Sequence, residues 1–212
     1  MLVVPEHDRL HGPWEIVTSG AVHRATQARP ATERHRFPTL ATMPQRMLSV
    51  LIGGIDKTYR LTVRRVGQIA DALAGMLGTR GGSVFVSPSR RIGKTGLGLP
   101  GERLNGLSTT VRDRSGESRC FAYPALADAV LVTADLISVT SKAAATGKPV
   151  RVFDLNGGDA KFALFHETIQ AAGITRSFFG HIESWSFSIL DDDTARAGAA
   201  LRAFVLGRRQ RA

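Results

Sequence analysis

Hydroxyl and carboxylate side chains follow an apolar run near the middle of the chain. The run at 129–133 leads into Thr133, Asp135, Ser138 and Ser141. Short apolar runs rich in β-branched residues predict buried strands, and open α/β sheets bind ligands beyond the carboxyl ends of their strands. The pattern therefore predicts a phosphate- or nucleotide-type site here, with the backbone donors of the next helix facing an anion. The alternative interpretation is ordinary helix capping by Ser138 or Ser141.

A glycine pair and two basic residues follow an earlier apolar run. Gly53-Gly54 ends the run at 48–52, and Lys57 and Arg60 come shortly after it. Glycine lets the backbone approach a ligand closely, and the following helix begins with N–H groups that attract anions. The residues therefore predict a second part of an anion site. A tight turn with solvated basic side chains explains them equally well.

Two further loops carry polar residues after predicted strands. Ser87–Arg91 reads SPSRR, in which Ser89 could cap a turn and Arg90 and Arg91 could face a phosphate. A solvated loop is the alternative for this stretch. Gly157-Gly158-Asp159 follows another strand. Because the carboxyl ends of parallel strands share one edge of a sheet, we expect these loops to meet around one pocket that attracts negative charge.

Other stretches of the chain resemble known motifs but lack residues that those motifs require. Gly93-Lys94-Thr95 resembles the end of a P-loop, but Pro88 stands where that motif needs glycine. His166-Glu167 lacks the second histidine of a zinc-protease motif, and the single Cys120 excludes an internal disulfide and a cysteine zinc site. No cofactor or metal is therefore predicted.

The elements that position these loops alternate between strands and helices. The predicted helix at 159–172 turns Phe162, Phe165, Ile169 and Ala172 inward, and a last helix from about Asp193 carries Ala197, Leu201, Phe204 and Val205. Such alternation predicts an α/β fold, a Rossmann-like open parallel sheet with helices on both faces. The predicted strands are Leu2–Val4, Glu15–Thr18, Leu48–Ile52, Val84–Val86, Thr109–Val111, 129–133 and 150–153, and the remaining predicted helices are 61–77 and 123–127, with at most one helical turn in 92–108.

The polar, basic and proline-bearing stretch at 24–46 has the composition of a linker. The two short strands before it are too few to form a domain. We therefore expect the compact domain to occupy residues 47–212.

The charge balance favours anionic partners. The chain has 212 residues, is 43% hydrophobic and carries a formal charge of +10. Such a charge suits phosphates, nucleotides or an anionic membrane surface, but no nucleic-acid module is recognisable. No apolar run is long enough for a membrane span, the N-terminus is not a secretory signal, and one cysteine fits a reducing compartment. A cytoplasmic location, peripheral at a membrane if associated with one, is therefore expected.

Several stretches together resemble the mitochondrial-fission ELM ("elongated mitochondria") family, whose members are plant and bacterial proteins. The resemblance covers residues 3–25 and most of 48–196. It is carried by VPEHD (4–8), VTSGAVHR (17–24), LIGGIDKTYR (51–60), SRR (89–91), ADAVLVTAD (127–135), AAATGKPV (143–150) and KFALFHE…GITR (161–176).

That family is similar to B-type glycosyltransferases, in which two Rossmann-like domains face a cleft. The resemblance implies that this chain is the C-terminal, donor-nucleotide-type domain and that residues 1–23 are the remnant of an N-terminal domain. Lys142 departs from the pattern, because it replaces a carboxylate that such transferases often use to hold a ribose. The resemblance places ligand contacts at Gly53, Gly54, Lys57, Arg60, Ser89, Arg90, Thr133, Asp135, Ser138 and Ser141.

Two functions follow as expectations. The first is a domain that binds a nucleoside diphosphate or a nucleotide sugar, and whose transferase activity, if present, would stabilise the departing diphosphate. The second, which the resemblance to the plant members of the family implies, is a non-enzymatic module that recruits a protein partner or binds an anionic membrane surface.

Overall fold

A six-stranded parallel sheet forms the centre of the computed structural model, which describes residues 1–10, 12–23, 43–44, 46–55, 57–92, 100–112, 122–183, 185–187 and 193–209. The interpretations of Gly93 and Cys120 and most of the linker lie outside these residues. The central strands are β3 (Met47–Ile52), β5 (Ser83–Pro88), β6 (Thr109–Val111), β7 (Ala129–Thr133), β8 (Val150–Phe153) and β10 (Thr175–Ser177).

The order of these strands in the sheet is β10-β8-β7-β3-β5-β6. From β3 the chain moves outward to β5 and β6, then returns to add β7, β8 and β10 on the other side. This is the order of a Rossmann fold, and its switch point lies between β3 and β7. The predicted α/β, Rossmann-like parallel sheet is therefore confirmed.

Helices cover both faces of the sheet because the side chains of each strand alternate. On one face, Leu48 and Val50 pack in a cluster with Val66 and Leu73 of helix α1 (Val63–Arg80). On the other face, the ring of Phe85 stacks on Tyr123 of α2 (Ala122–Leu126) at 5.0 Å between centroids. Helices α3 (Ile137–Ala144), α4 (Ala160–Ala171) and α5 (Asp193–Arg209) follow along the chain.

Two small strand pairs accompany the main sheet. β1 (Leu2–Pro5) and β2 (Glu15–Thr18) form a parallel pair. Both strands were predicted from the sequence, but their pairing was not. β4 (Tyr59–Arg60) pairs antiparallel with β9 (Asn156–Gly157). The second pair was not predicted, since two-residue strands leave no periodic signal, and neither was β10.

The predicted inward faces of two helices are only partly correct. In α4, Phe165 and Ile169 are buried and Phe162 is half-buried, but Ala172 lies beyond the helix end and is exposed. In α5, Ala197 is buried, whereas Leu201 and Val205 are 44% and 46% exposed. The periodic spacing predicted these helices correctly but could not show that most of α5 has no neighbour among the described residues to cover it.

The N-terminus of α1 offers a test of local stability. The Thr62 hydroxyl caps it by accepting a hydrogen bond from Arg65 N at 3.2 Å. We expect Thr62→Ala to lower the free energy of unfolding by about 1 kcal/mol in urea denaturation, because that donor loses its partner. Thr79→Ala is the control, since the Thr79 hydroxyl bonds back to the Gly75 and Met76 carbonyls of its own helix and caps no N–H group; a change there as large as at Thr62 would contradict the capping role.

Candidate functional site at the carboxyl edge of the sheet

The loop after β3 and the loop after β7 are joined at the switch point. Gly53 N donates to the Thr133 hydroxyl at 2.8 Å, and Gly54 N donates to Asp135 Oδ2 at 3.0 Å. The Thr133 hydroxyl in turn donates to Asp135 Oδ1 at 2.6 Å. Two strand ends that are far apart in sequence are therefore held together by one threonine and one aspartate.

The loop after β5 joins the same cluster. The Ser89 hydroxyl donates to the Gly53 carbonyl at 2.7 Å. Arg91 Nη2 lies 3.0 Å from Asp135 Oδ2, and the side chains of this ion pair are 43% and 0% exposed. The carboxylate is thus fully buried, while its arginine partner reaches from the cluster to the surface.

Both glycines are required by close contacts. A Cβ atom on Gly53 would overlap the Asp135 carboxylate, and one on Gly54 would lie 2.5 Å from the backbone of Arg91. The glycine pair therefore serves the approach of the protein's own carboxylate and loop. Its two amides also have protein partners, and the contact of this backbone with a ligand stays a prediction.

Burial raises the pKa of the Asp135 carboxyl, because desolvation penalises its ionised form. The hydrogen bonds from Thr133 and Gly54 and the charge of Arg91 act in the opposite direction but do not cancel this effect. The cluster thus stabilises a charge that burial alone would disfavour.

The structure brings together Gly53, Gly54, Ser89, Thr133 and Asp135 from the predicted set. Lys57 and Arg60 are exposed on the loop after β3, which the β4–β9 pair ties to the Gly157 loop. Arg90 lies in a 3₁₀ turn, and its side chain is outside the described residues. The ligand-binding role of all these residues stays a prediction.

Ser138 and Ser141 do not cap α3. The N-cap position is Leu136, which makes no side-chain capping bond, so that interpretation is wrong. Ser138 is exposed, whereas the buried Ser141 hydroxyl accepts from Ala21 N at 3.2 Å and donates to the Ile137 carbonyl at 3.1 Å. A hydroxyl one turn into a helix bonds back to the preceding turn, and here its other partner comes from a distant segment.

That distant segment is the N-terminal segment, defined here as residues 1–23, which lies against α3, α4 and α5. Asp193 Oδ2 accepts from Ser19 N at 2.6 Å, and the Thr194 hydroxyl accepts from His23 N at 3.0 Å. Arg196 donates to the Val17 carbonyl, and Lys161 pairs with Asp8. These contacts attach the β1–β2 pair beside the carboxyl edge.

Two histidines near this attachment, the buried His7 and the half-buried His166, make contacts that the sequence did not predict. His7 is only 5% exposed and packs edge-on against the Phe165 ring at 5.2 Å. His166 Nε2 donates to the Ala134 carbonyl at 2.7 Å, which connects α4 to the loop that carries Asp135. No local pattern signals either role, because the partners are more than thirty residues away.

The sequence model of the mitochondrial fission ELM1 family matches residues 1–204. The chain belongs to this family. It is similar to the mitochondrial fission protein ELM1 of Arabidopsis thaliana, with 28% identity over 199 residues. The alignment covers 91% of this chain and 46% of the relative, so the chain spans less than half of that protein's length.

Two kinds of feature are absent from the described part of this ELM1-family chain. The described side chains form no cluster of three or more His, Cys, Asp or Glu residues that could hold a metal ion. None of the described helices is both long enough and apolar enough to cross a membrane.

Adding one methyl group tests the close contact between Gly53 and the Asp135 carboxylate in this ELM1-family chain. We expect Gly53→Ala to lower the free energy of unfolding by about 1–3 kcal/mol, because the new Cβ displaces the Asp135 carboxylate. Urea denaturation followed by circular dichroism measures this change. The control is Gly75→Ala within α1, where nothing lies within 4 Å; there a gain of up to about 1 kcal/mol is expected. Equal effects at both positions would refute the close approach.

The pKa values of His7 and His166 predict how the stability of this ELM1-family chain depends on pH. Burial lowers the pKa of His7 and of His166 from 6.5, although Asp135 and Asp154 act against this at His166. The folded state then binds fewer protons than the unfolded state below pH 6.5, so stability falls as the pH drops through that value.

We expect His166→Gln to reduce this slope between pH 7 and 5, since the glutamine amide can still donate to Ala134 but does not titrate. The half-exposed His181→Gln serves as the control. An unchanged slope in His166→Gln, measured by urea denaturation at each pH, would show that His166 does not contribute.

Proposed function

We propose that the carboxyl edge binds the diphosphate group of a nucleotide or nucleotide sugar. The observation that carries the proposal is the Arg91 guanidinium, which buried Asp135 anchors at the switch point of a Rossmann-ordered sheet. Ligands of such sheets bind at this place, and an arginine that is already held in position loses less conformational freedom when it binds a phosphate.

The surrounding charge supports an anionic ligand. Lys57 and Arg60 are exposed on the loop that begins with the glycine pair, and the exposed Ser138 lies at the start of α3. Because Gly53 and Gly54 already donate to Thr133 and Asp135, side-chain cations rather than these two amides would bind the phosphates. The proposal covers binding and assigns no catalytic base.

The relation to B-type glycosyltransferases belongs to the same proposal. In such a protein a second domain forms the other wall of the cleft, and the N-terminal segment would be the end of that domain. The position of this segment beside the carboxyl edge, where Ala21 bonds to Ser141, supports the assignment.

Titration calorimetry with uridine and guanosine diphosphates and their sugars tests the proposal. We expect saturable binding that Arg91→Met weakens by about 10- to 100-fold, the effect of losing one hydrogen bond from a charged group. Arg103→Met is the matched control, because Arg103 pairs with Asp71 at the surface, away from this edge. Gly54→Asp should abolish binding, since its side chain collides with the Arg91 backbone. Circular dichroism confirms that each variant folds.

The second candidate function is recruitment to an anionic membrane surface. Trp14 is 64% exposed and contacts Phe204 of α5, and α5 carries Arg196, Arg202 and two further arginines against one aspartate. Tryptophan and basic helices are typical of membrane interfaces. Absence of heat across the whole nucleotide panel, with binding to phosphatidylserine vesicles but not to phosphatidylcholine vesicles, would contradict the nucleotide proposal and favour this one.

A further inference from the structure

A cavity lies at the opposite end of the sheet from the cluster around Asp135. Its volume is about 600 Å³, and it is bounded by residues where β3, β7 and β8 begin and by the end of α1. This size is in the range of small-molecule sites. The apolar part of its wall comes mainly from Leu48, Met76 and Ile182.

The charged residues of the wall differ in whether they already have hydrogen-bond partners. Asp128 already accepts a hydrogen bond from Met47 N at 2.8 Å, which aligns the start of β3. Arg80 donates to the Ile182 carbonyl at 3.2 Å, and Arg46 lines the cavity with its backbone in a left-handed conformation, φ 69°. Glu183 is the remaining carboxylate of the wall, and its side chain is 59% exposed.

Glu183 also lies next to a buried arginine, Arg151, which does not itself line the cavity but has unused donors. Arg151 in β8 is 4% exposed, and its Nη1 donates to the Ser177 carbonyl at 3.1 Å. Its Nε and Nη2 atoms have no hydrogen-bond partner within the described residues. Glu183 Oε2 is 3.8 Å from Nη2, which is an ion pair without a hydrogen bond. Buried guanidinium donors without partners carry a free-energy penalty.

A second arginine increases the positive charge. Arg176 is the register partner of Arg151 on β10, and both guanidinium groups lie over the Trp185 ring, at 4.7 Å and 4.8 Å from its centroid. Trp185 is fixed by a 2.9 Å hydrogen bond to the Gly173 carbonyl. The ring stabilises the two like charges through cation–π contacts but accepts no hydrogen bond from Nε or Nη2.

We propose that this cavity binds a small organic anion whose phosphate or carboxylate head displaces Glu183 from the Nε–Nη2 edge of Arg151. That edge presents two parallel donors, which match the paired oxygens of either head group. Glu183 can turn toward solvent because its side chain is mostly exposed. Arg80 and Arg46 would contact the head group from the cavity wall, and the apolar body of the ligand would lie on Leu48, Met76 and Ile182.

This site is independent of the proposed nucleotide site. The two lie at opposite ends of the parallel strands, and none of the residues that line the cavity belongs to the Asp135 cluster. If one of the two proposed sites binds no ligand, the proposal for the other site is therefore unaffected. The Arg91→Met variant should keep full affinity at the cavity.

The experiment uses phenyl phosphate and phenylacetate as probes, with inorganic phosphate and benzyl alcohol for comparison. Calorimetry and amide chemical-shift changes in the whole chain report affinity and place. We expect one of the two aromatic anions to bind at least tenfold more tightly than inorganic phosphate and benzyl alcohol, and the better of the two identifies the head group. Shifts should concentrate at residues 46–48, 80–81 and 182–183.

Two variants test the residues. Arg80→Met keeps the apolar stem and should lower the affinity for the better-binding probe about tenfold. Arg103→Met, also at a surface beside α1, should leave that affinity unchanged. Arg151→Lys keeps a charge but loses the paired donors, and should weaken binding further if circular dichroism shows that it folds. Equal affinity in Arg80→Met and wild type, equal binding of benzyl alcohol, or shifts located elsewhere would overturn the proposal.

Discussion

Burying one carboxylate between two strand ends sets the geometry of the whole carboxyl edge. The Asp135 side chain is inaccessible to solvent, so its oxygens must find donors within the protein. Those donors are Gly54 N in the loop after β3, the hydroxyl of Thr133 at the end of β7 and the Arg91 guanidinium in the loop after β5. Three loops thus hold one arrangement because a single charge requires all of them.

The same requirement explains the glycine pair. Any side chain at position 53 would occupy the place of the carboxylate, and any at position 54 would collide with the loop that brings Arg91. Ser89 completes the arrangement from the other side by donating to the Gly53 carbonyl. The preorganised edge and the arginine at its surface are two results of one packing problem.

Much of this fold could be predicted from the sequence, because buried parallel strands read as short apolar runs. β10 could not, since Thr175, Arg176 and Ser177 lack such a run and become a strand only through pairing with β8. The convergence of the strand-end loops followed from topology alone. Which hydroxyl bonds to which amide did not, and Ser138 was misjudged because capping depends on local backbone geometry rather than on composition.

The positive charge of the chain is also distributed in a way that composition could not show. Arg91 is paired at one end of the sheet, and Arg151 and Arg176 lie over Trp185 at the β8–β10 side. Helix α5, whose Phe204 contacts Trp14, carries others. A net charge of +10 is therefore divided among separate surfaces. Each surface differs in how completely its cations are neutralised, which is a property of three-dimensional neighbours.

The attachment of the N-terminal segment has an evolutionary consequence. Ser19, Gly20, Ala21 and His23 donate through main-chain N–H groups, which nearly every amino acid possesses, whereas the acceptors are the side chains of Asp193, Ser141 and Thr194. Substitutions in this stretch of the segment should be tolerated widely, apart from proline and from bulk at Gly20, where a Cβ would lie 2.7 Å from the Ser141 hydroxyl. Selection on this interface should therefore be asymmetric, with strict retention on the helical side and rapid drift on the other.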